Sequence, residues 1–548
     1  MRLRTWLCCP LAAASLTLAA VEPSAGSDFR PSKELARRRG PEIFNAVHNA
    51  MRQWGSSLHH NGMSFFLATV PQGVLLHHGS SSPDPPSQPD WLAYEIEHAE
   101  NFARGRRGPG GPPGRGPPGD GPDGGPQEVM GSPWHGTEMV DGAEVHGYLH
   151  VYETTRPLKF LYIDGMGAGK TSMGTLDSQD YLLRGKSPEN GTDSTPRPRR
   201  RPDGQPPERP RGGGPMDEQQ RARDLCQLCK EWDLQGVVRM EAGFEIIKCD
   251  FSDGLREVQV LQRPDEILGR PGGFGNLEYF RGVSERYNGI GSSRTAIDYS
   301  SMVSAFFFPV NLTNPNPKRQ DLPRLRSAEQ PQLAEIKSYL ESVIHARRDH
   351  ASRVIDWQDV SDLIVSRYAD RVKYMAEAVQ DIGAMAREVN FLLTLFVDGS
   401  DKGDSLELGI SRCSNFYLRS VSPVTEADVL IRTAFETVTR EICTTLFRVR
   451  SLVVTDPAPD QSSLAASVSV LRALMQSLNW ARFKRCPPCA IDEVCVIPMW
   501  PMGTVEEYNN PQCSNGTETG ERYWDGGPGR PPGDRRPGDG DAPPPSEL

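Results

Sequence analysis

Apolar residues recur three or four positions apart from Trp357 through Val360, Ile364, Tyr368, Val372, Met375, Val379, Ile382, Val389 and Leu393. That is the period of an α-helix, so the spacing predicts one long helix with a single apolar stripe and Asp356 as its N-cap. Similar patterns predict further helices over 327–348, 425–453 and 462–484. Earlier in the chain the pattern changes to short apolar runs, GVLLHHG (73–79), GYLHVYETT (147–155) and LKFLYID (158–164), which read as strands. A helical stretch, DEQQRARDLCQLCKEW, sets Leu225, Leu228 and Trp232 on one face, and a fourth strand-like run, AGFEIIKCDF, follows it. Strands mixed with a few helices predict an α+β domain over 41–265. The helical periodicity predicts a mainly α-helical, disulfide-bonded domain over 266–525, ending in the Cys-rich KRCPPCAIDEVCVIPMWPMGTVEEY.

Three stretches break this picture: 104–127, 186–215 and 526–548 consist of Gly, Pro and charged residues with almost nothing to bury, and they read as disordered inserts and a tail. They also explain why only 37% of the 548 residues are hydrophobic. The formal net charge is -10, and the arginines of the inserts are interleaved with Asp and Glu, so no nucleic-acid partner is expected.

The opening MRLRTWLCCPLAAASLTLAA has two arginines, a short apolar run and small residues, and predicts a signal peptide over 1–20. No segment approaches the roughly twenty apolar residues of a membrane-spanning helix, so the expected location is secreted and extracellular, with no membrane span. Residues 21–40 are a candidate pro-segment, because Arg37 to Arg39 could be a processing site; a solvated charge cluster explains the same residues equally well. Sequons at Asn190, Asn311 and Asn515 fit a glycoprotein. Nine cysteines remain beyond the signal, and in an oxidising compartment they are expected to pair, with the odd one buried, reactive or bridged to another molecule. The rival, a zinc site built from Cys226, Cys229, Cys486 and Cys489, is less favoured outside the cell.

FLYIDGMGAGKTSMG (160–174) looks at first like a phosphate-binding loop. The position that must be Gly or Ala is Asp164, whose charge would repel phosphate, so a tight turn after a buried strand is the favoured reading and a nucleotide hydrolase is not. Nine of the eleven histidines precede residue 151, yet none stands in a recognised ligand spacing, and no metal is expected.

Four segments in chain order carry another chemistry. VLLHHGS (74–80), WLAYEIEHAENFA (91–103), YLHVYETTRPLKFLYID and GVVRMEAGFEIIKCDF (236–251) together resemble the His-Tyr-Glu type of the ADP-ribosyltransferase superfamily. The resemblance implies NAD as substrate. By it, His78 would hydrogen-bond the adenosine-side ribose and the carboxamide end, Tyr94 would stack on the nicotinamide, and Glu245 would hold the 2'-hydroxyl of the nicotinamide ribose. Cleavage passes through an oxocarbenium-like state that a carboxylate stabilises, and Glu241, four residues before Glu245 on the same side of an extended strand, would help place an acceptor. The expected activity is NAD-dependent ADP-ribosyl transfer or NAD glycohydrolysis. The alternative is a non-catalytic extracellular or wall-associated binding protein, since a scaffold persists without turnover; in either case the extracellular partner or acceptor is unknown.

HNAMRQWGSSLHHNGMSFF, LYIDGMGAGKTSMGTLDSQDYLL and CPPCAIDEVCVIPMWPMGTVEEY also resemble an uncharacterised group of secreted proteins of filamentous fungi. That resemblance spans both halves and implies secretion, with no activity attached.

Overall fold

A computed structural model of the chain describes residues 29–103, 146–186, 218–264, 277–284, 294–348, 355–400, 405–515 and 521–524. The signal peptide, residues 21–28 of the pro-segment, the inserts at 104–127 and 187–215, the tail and the Asn190 sequon lie outside them.

In chain order the elements begin with α1 (Lys33–Arg38), α2 (Gly40–Asn49) and α3 (Gln53–Leu58), followed by β1 (Ser64–Val70), β2 (Leu75–Ser80), β3 (Asp90–Ala93) and α4 (Ile96–Glu100). Next come β4 (Tyr148–Thr154), β5 (Leu158–Ile163), α5 (Glu218–Glu231), β6 (Gly236–Met240), β7 (Phe244–Lys248), β8 (Leu255–Gln262), α6 (Leu277–Ser284) and β9 (Ala296–Ser304). The helical part contains α7 (Gln330–Arg347), α8 (Trp357–Glu377), α9 (Ile382–Leu393), α10 (Ser405–Ser414), α11 (Glu426–Arg450), α12 (Gln461–Leu478) and α13 (Val505–Asn509).

The nine strands form one sheet in the order β8-β4-β2-β3-β7-β6-β5-β1-β9. Only β5 and β6 run parallel; the other neighbours are antiparallel. The central strands β3, β6 and β7 are buried along their whole length. That explains why they read as continuous apolar runs rather than as alternation. This is the α+β domain expected from the sequence, followed by the expected helical part. The halves interlock beyond that expectation. β9, on the far side of residue 265, pairs with β1. Phe44 of α2 packs on Phe435 of α11 with ring centroids 4.6 Å apart.

The helix boundaries follow their caps. Asp356 accepts from Asp359 N at the start of α8, as expected. The single long helix is in fact two: the chain leaves α8 at Ala378, and Asp381 caps α9 by accepting from Ala384 N. Thr425 and Asp460 close capping boxes at α11 and α12. The candidate processing site is itself helical, with Arg37 and Arg38 in the last turn of α1 and Arg39 capping α2.

Eight cysteines stand at disulfide distance, as Cys226–Cys249, Cys413–Cys443, Cys486–Cys495 and Cys489–Cys513, while Cys229 is buried and free. Cys226 and Cys486 thus belong to different bridges, and the four-thiolate zinc cage does not form. No described helix is long and apolar enough to cross a membrane.

Candidate functional site

The glycine loop after β5 is held by its own backbone. Gly165 adopts φ +67, and a Cβ there would stand 2.5 Å from Gly62 N. The approach is mutual, since a Cβ on Gly62 would stand 1.8 Å from Asp164 O, and Asp164 Oδ1 accepts from Ser64 N at 2.8 Å. The loop amides are already engaged: Met166 N donates to His60 O, Ala168 N to Met240 O, Gly169 N to Met166 O and Thr171 N to Gly169 O. A phosphate cradle needs such amides free and pointed inward. Instead the loop lies over the end of β6 and sends Lys170, 2% exposed, to within 3.6 Å of Glu241 Oε2.

β6 and β7 form a tight hairpin, with Arg239 opposite Glu245 and Glu241 N closing the turn on Gly243 O. Glu241 therefore sits in the turn, and not on one strand with Glu245 as the spacing suggested. Their carboxylates meet because the hairpin folds them together. Arg239, fully buried, donates to Glu245 Oε1 at 2.7 Å and to Gln179 Oε1 at 3.0 Å, and also pairs with Glu218 from α5. Arg221 binds the same Glu218 and, at 2.9 Å, Asp180, which Arg184 also holds. Burial opposes the charge on Glu218, but Arg239, Lys170 and Arg221 outweigh it and hold its carboxyl well below the usual range.

His98 of α4 completes the cluster from above. Its Nδ1 lies 3.1 Å from Tyr279 Oη of α6, and its Nε2 lies 4.0 Å from Glu241 Oε2. The ring packs against Gly243, where a Cβ would stand in ordinary contact, 3.4 Å from His98 Cγ. Four buried atoms at this point, His98 Nε2, both Glu241 oxygens and Glu245 Oε2, have no hydrogen-bond partner among the described residues. One donor atom each from His98, Glu241 and Glu245 lies within 4.8 Å of the others. Burial drives the His98 imidazole down to about 3 and keeps it neutral. Burial also pushes Glu241 up to about 8, opposed by Lys170 and reinforced by Glu245. Glu245 is raised by burial as well, with Arg239 opposing.

The NAD clamp suggested by resemblance is not assembled as one pocket. Directly opposed residues of antiparallel strands share a face. His77 faces Ala93 and Ala93 faces Glu245, so His78 points to the other side of the sheet. There its ring stands 5.6 Å from His150 and 5.7 Å from Phe251, its Nδ1 bonds Trp91 O at 2.8 Å, and burial lowers its pKa to about 4. Tyr94 bonds Thr295 Oγ1 at 2.6 Å under the Arg294 guanidinium, beside a cleft of about 400 Å³ that His77, Glu95 and Arg294 also line. Of the four residues singled out from sequence, Glu241 and Glu245 come together, and His78 and Tyr94 lie elsewhere. His98 and Lys170 are the members that sequence spacing missed.

Residues 32–274 match the family described as the YPL277C N-terminal domain, a span that contains His98, Lys170, Glu241 and Glu245. The chain is 29% identical over 554 residues to the uncharacterized protein YOR389W of Saccharomyces cerevisiae, covering 85% of this chain and 82% of that one. It is 31% identical over 239 residues to the uncharacterized protein YPL277C of the same yeast, covering 42% of this chain and 45% of that one. No solved structure matches. These matches support an uncharacterised family as the kin of this chain, and they show no resemblance to ADP-ribosyltransferases.

Proposed function

We propose that the chain is an exported enzyme that cleaves a bond at an acetal-type carbon, with Glu241 and Glu245 as its reacting carboxylates and the nicotinamide–ribose bond of NAD as the first candidate. The observation that carries this reading is the convergence of two buried carboxylates, three of whose four oxygens lack a hydrogen-bond partner among the described residues. Such oxygens stabilise positive charge developing at the anomeric carbon and orient the incoming nucleophile. With water as nucleophile, a C–O bond forms at the ribose carbon, the C–N bond breaks with its electron pair passing to nicotinamide, and one proton is released. The disulfide pairs and the exposed sequons at Asn311 and Asn515 support export.

A second reading, a non-catalytic extracellular binding protein, is favoured by the burial of the pair, with Glu241 at 1% and Glu245 at 0% exposure. The deciding assay follows nicotinamide release from NAD by the purified protein beside Glu245→Gln, together with aglycone release from a panel of aryl glycosides. Release by the parent and its loss in the variant support the enzyme. A folded parent that releases nothing from any of these substrates leaves the binding reading standing.

A further inference from the structure

We infer that His98, Glu241 and Glu245 form a binding site for one divalent transition-metal cation of the zinc or manganese class. The sequence alone gave no expectation of a metal, because the three ligands come from a helix, a turn and a strand. Their donor atoms lie within 4.8 Å of one another. Ligands about 2.0–2.2 Å from a shared ion stand about 3–4 Å apart, so side-chain adjustment without backbone movement suffices.

Two further observations point to a cation. First, the cluster is unsatisfied as it stands. If His98 donates from Nδ1 to Tyr279, its Nε2 lone pair faces the Glu241 carboxylate; in the other tautomer Nε2–H finds no acceptor nearer than 4.0 Å. Buried polar atoms are rarely left in that condition, and here four are. Second, the ligands already have the supports that metal sites use. Tyr279 orients the imidazole through Nδ1, and Arg239 holds Glu245 through Oε1, leaving Nε2 and Oε2 directed at the centre. Three protein ligands leave a coordination position for water or substrate oxygen. Lys170, 3.6 Å from Glu241 Oε2, opposes the ion, so the site is tuned by that ammonium.

The inference draws on the same carboxylate oxygens as the proposed reaction, so a bound ion would displace that role, and it is tested apart from it, on resting protein without substrate. Chelator-treated protein is titrated calorimetrically with ZnCl2 and, separately, MnCl2. One ion per chain is expected, with affinity at least about 100-fold lower in Glu241→Gln and in His98→Ala, and higher in Lys170→Met. Because the first two variants could fail to fold, the zinc-loaded parent is also examined by X-ray absorption. A shell of imidazole nitrogen and carboxylate oxygen at about 2.0–2.1 Å supports the site. No binding, affinity unchanged in folded variants, or a shell containing sulfur overturns it.

Discussion

Asp164→Asn should remove a pH dependence of stability that the parent carries. Asp164 is 7% exposed, and burial pushes its carboxyl from the ordinary 3.8 up to about 7, although the Ser64 N–H works the other way. Because the folded pKa is raised, the group's contribution is fully present below the unfolded value and is lost as pH rises toward the folded one. The window is therefore pH 4 to 7. A shift of three units at 1.36 kcal/mol each gives about 4 kcal/mol lost across it. Asn keeps an oxygen to accept from Ser64 N but brings an NH2 group that needs an acceptor, a cost of about 1–3 kcal/mol that does not vary with pH. The slope of the difference is thus the observable, and its level is not. Reversible urea unfolding of both proteins, disulfides intact, is compared at intervals from pH 4.5 to 8.5, where every other titrating group cancels in the difference. The variant should gain on the parent steadily to pH 7 and then stop gaining. A difference that is flat with pH would refute the assignment of the burial penalty to this carboxyl.

Gly62→Ala would place a Cβ 1.8 Å from Asp164 O, a backbone atom, so a loss of about 3 kcal/mol is expected as a drop in thermal midpoint. Arg239→Met leaves Glu245 buried without its cation and Glu218 with Arg221 alone, which should cost about 3–5 kcal/mol by urea unfolding; a neutral result would refute the assignment of this ion-pair cluster to stability. The double variant Cys413→Ser/Cys443→Ser opens a 30-residue loop between α10 and α11 and should lose about 3–4 kcal/mol by the same measurement.

The helical part was legible because its caps and period are local: Asp356 and the apolar stripe announce α8 within a few residues. The break before Asp381 was not, because Val379 and Ile382 stay three residues apart across it and the stripe reads straight through. In the sheet, β1 and β9 gave no signal as partners, since they pair over more than 200 residues and no turn joins them. For the site, Glu245 drew notice through the ADP-ribosyltransferase resemblance and Glu241 through standing four residues before it. His98 and Lys170 join them only through the fold. The clue that could have found the cluster is Arg239, a charge inside the apolar run GVVRM, which in a central strand requires buried acids opposite it. The placement of His78 turned on a single step of alternation, because the adjacent His77 offers the same chemistry to the opposite face.

The interlocking of the two halves also sets when this protein can fold. Asn45 Nδ2 donates to Leu478 O, and His60 Nε2 bonds Tyr523 Oη across a separation of 463 residues. At about 5–20 residues per second of synthesis, the partner of His60 emerges roughly 25 to 90 s after it. Until residues 426–450 have followed, α2 has no α11 to cover Phe44. The first-made apolar surfaces therefore stay without their native cover until most of the chain exists. A fragment that stops before residue 426 lacks the surface on which its own beginning folds.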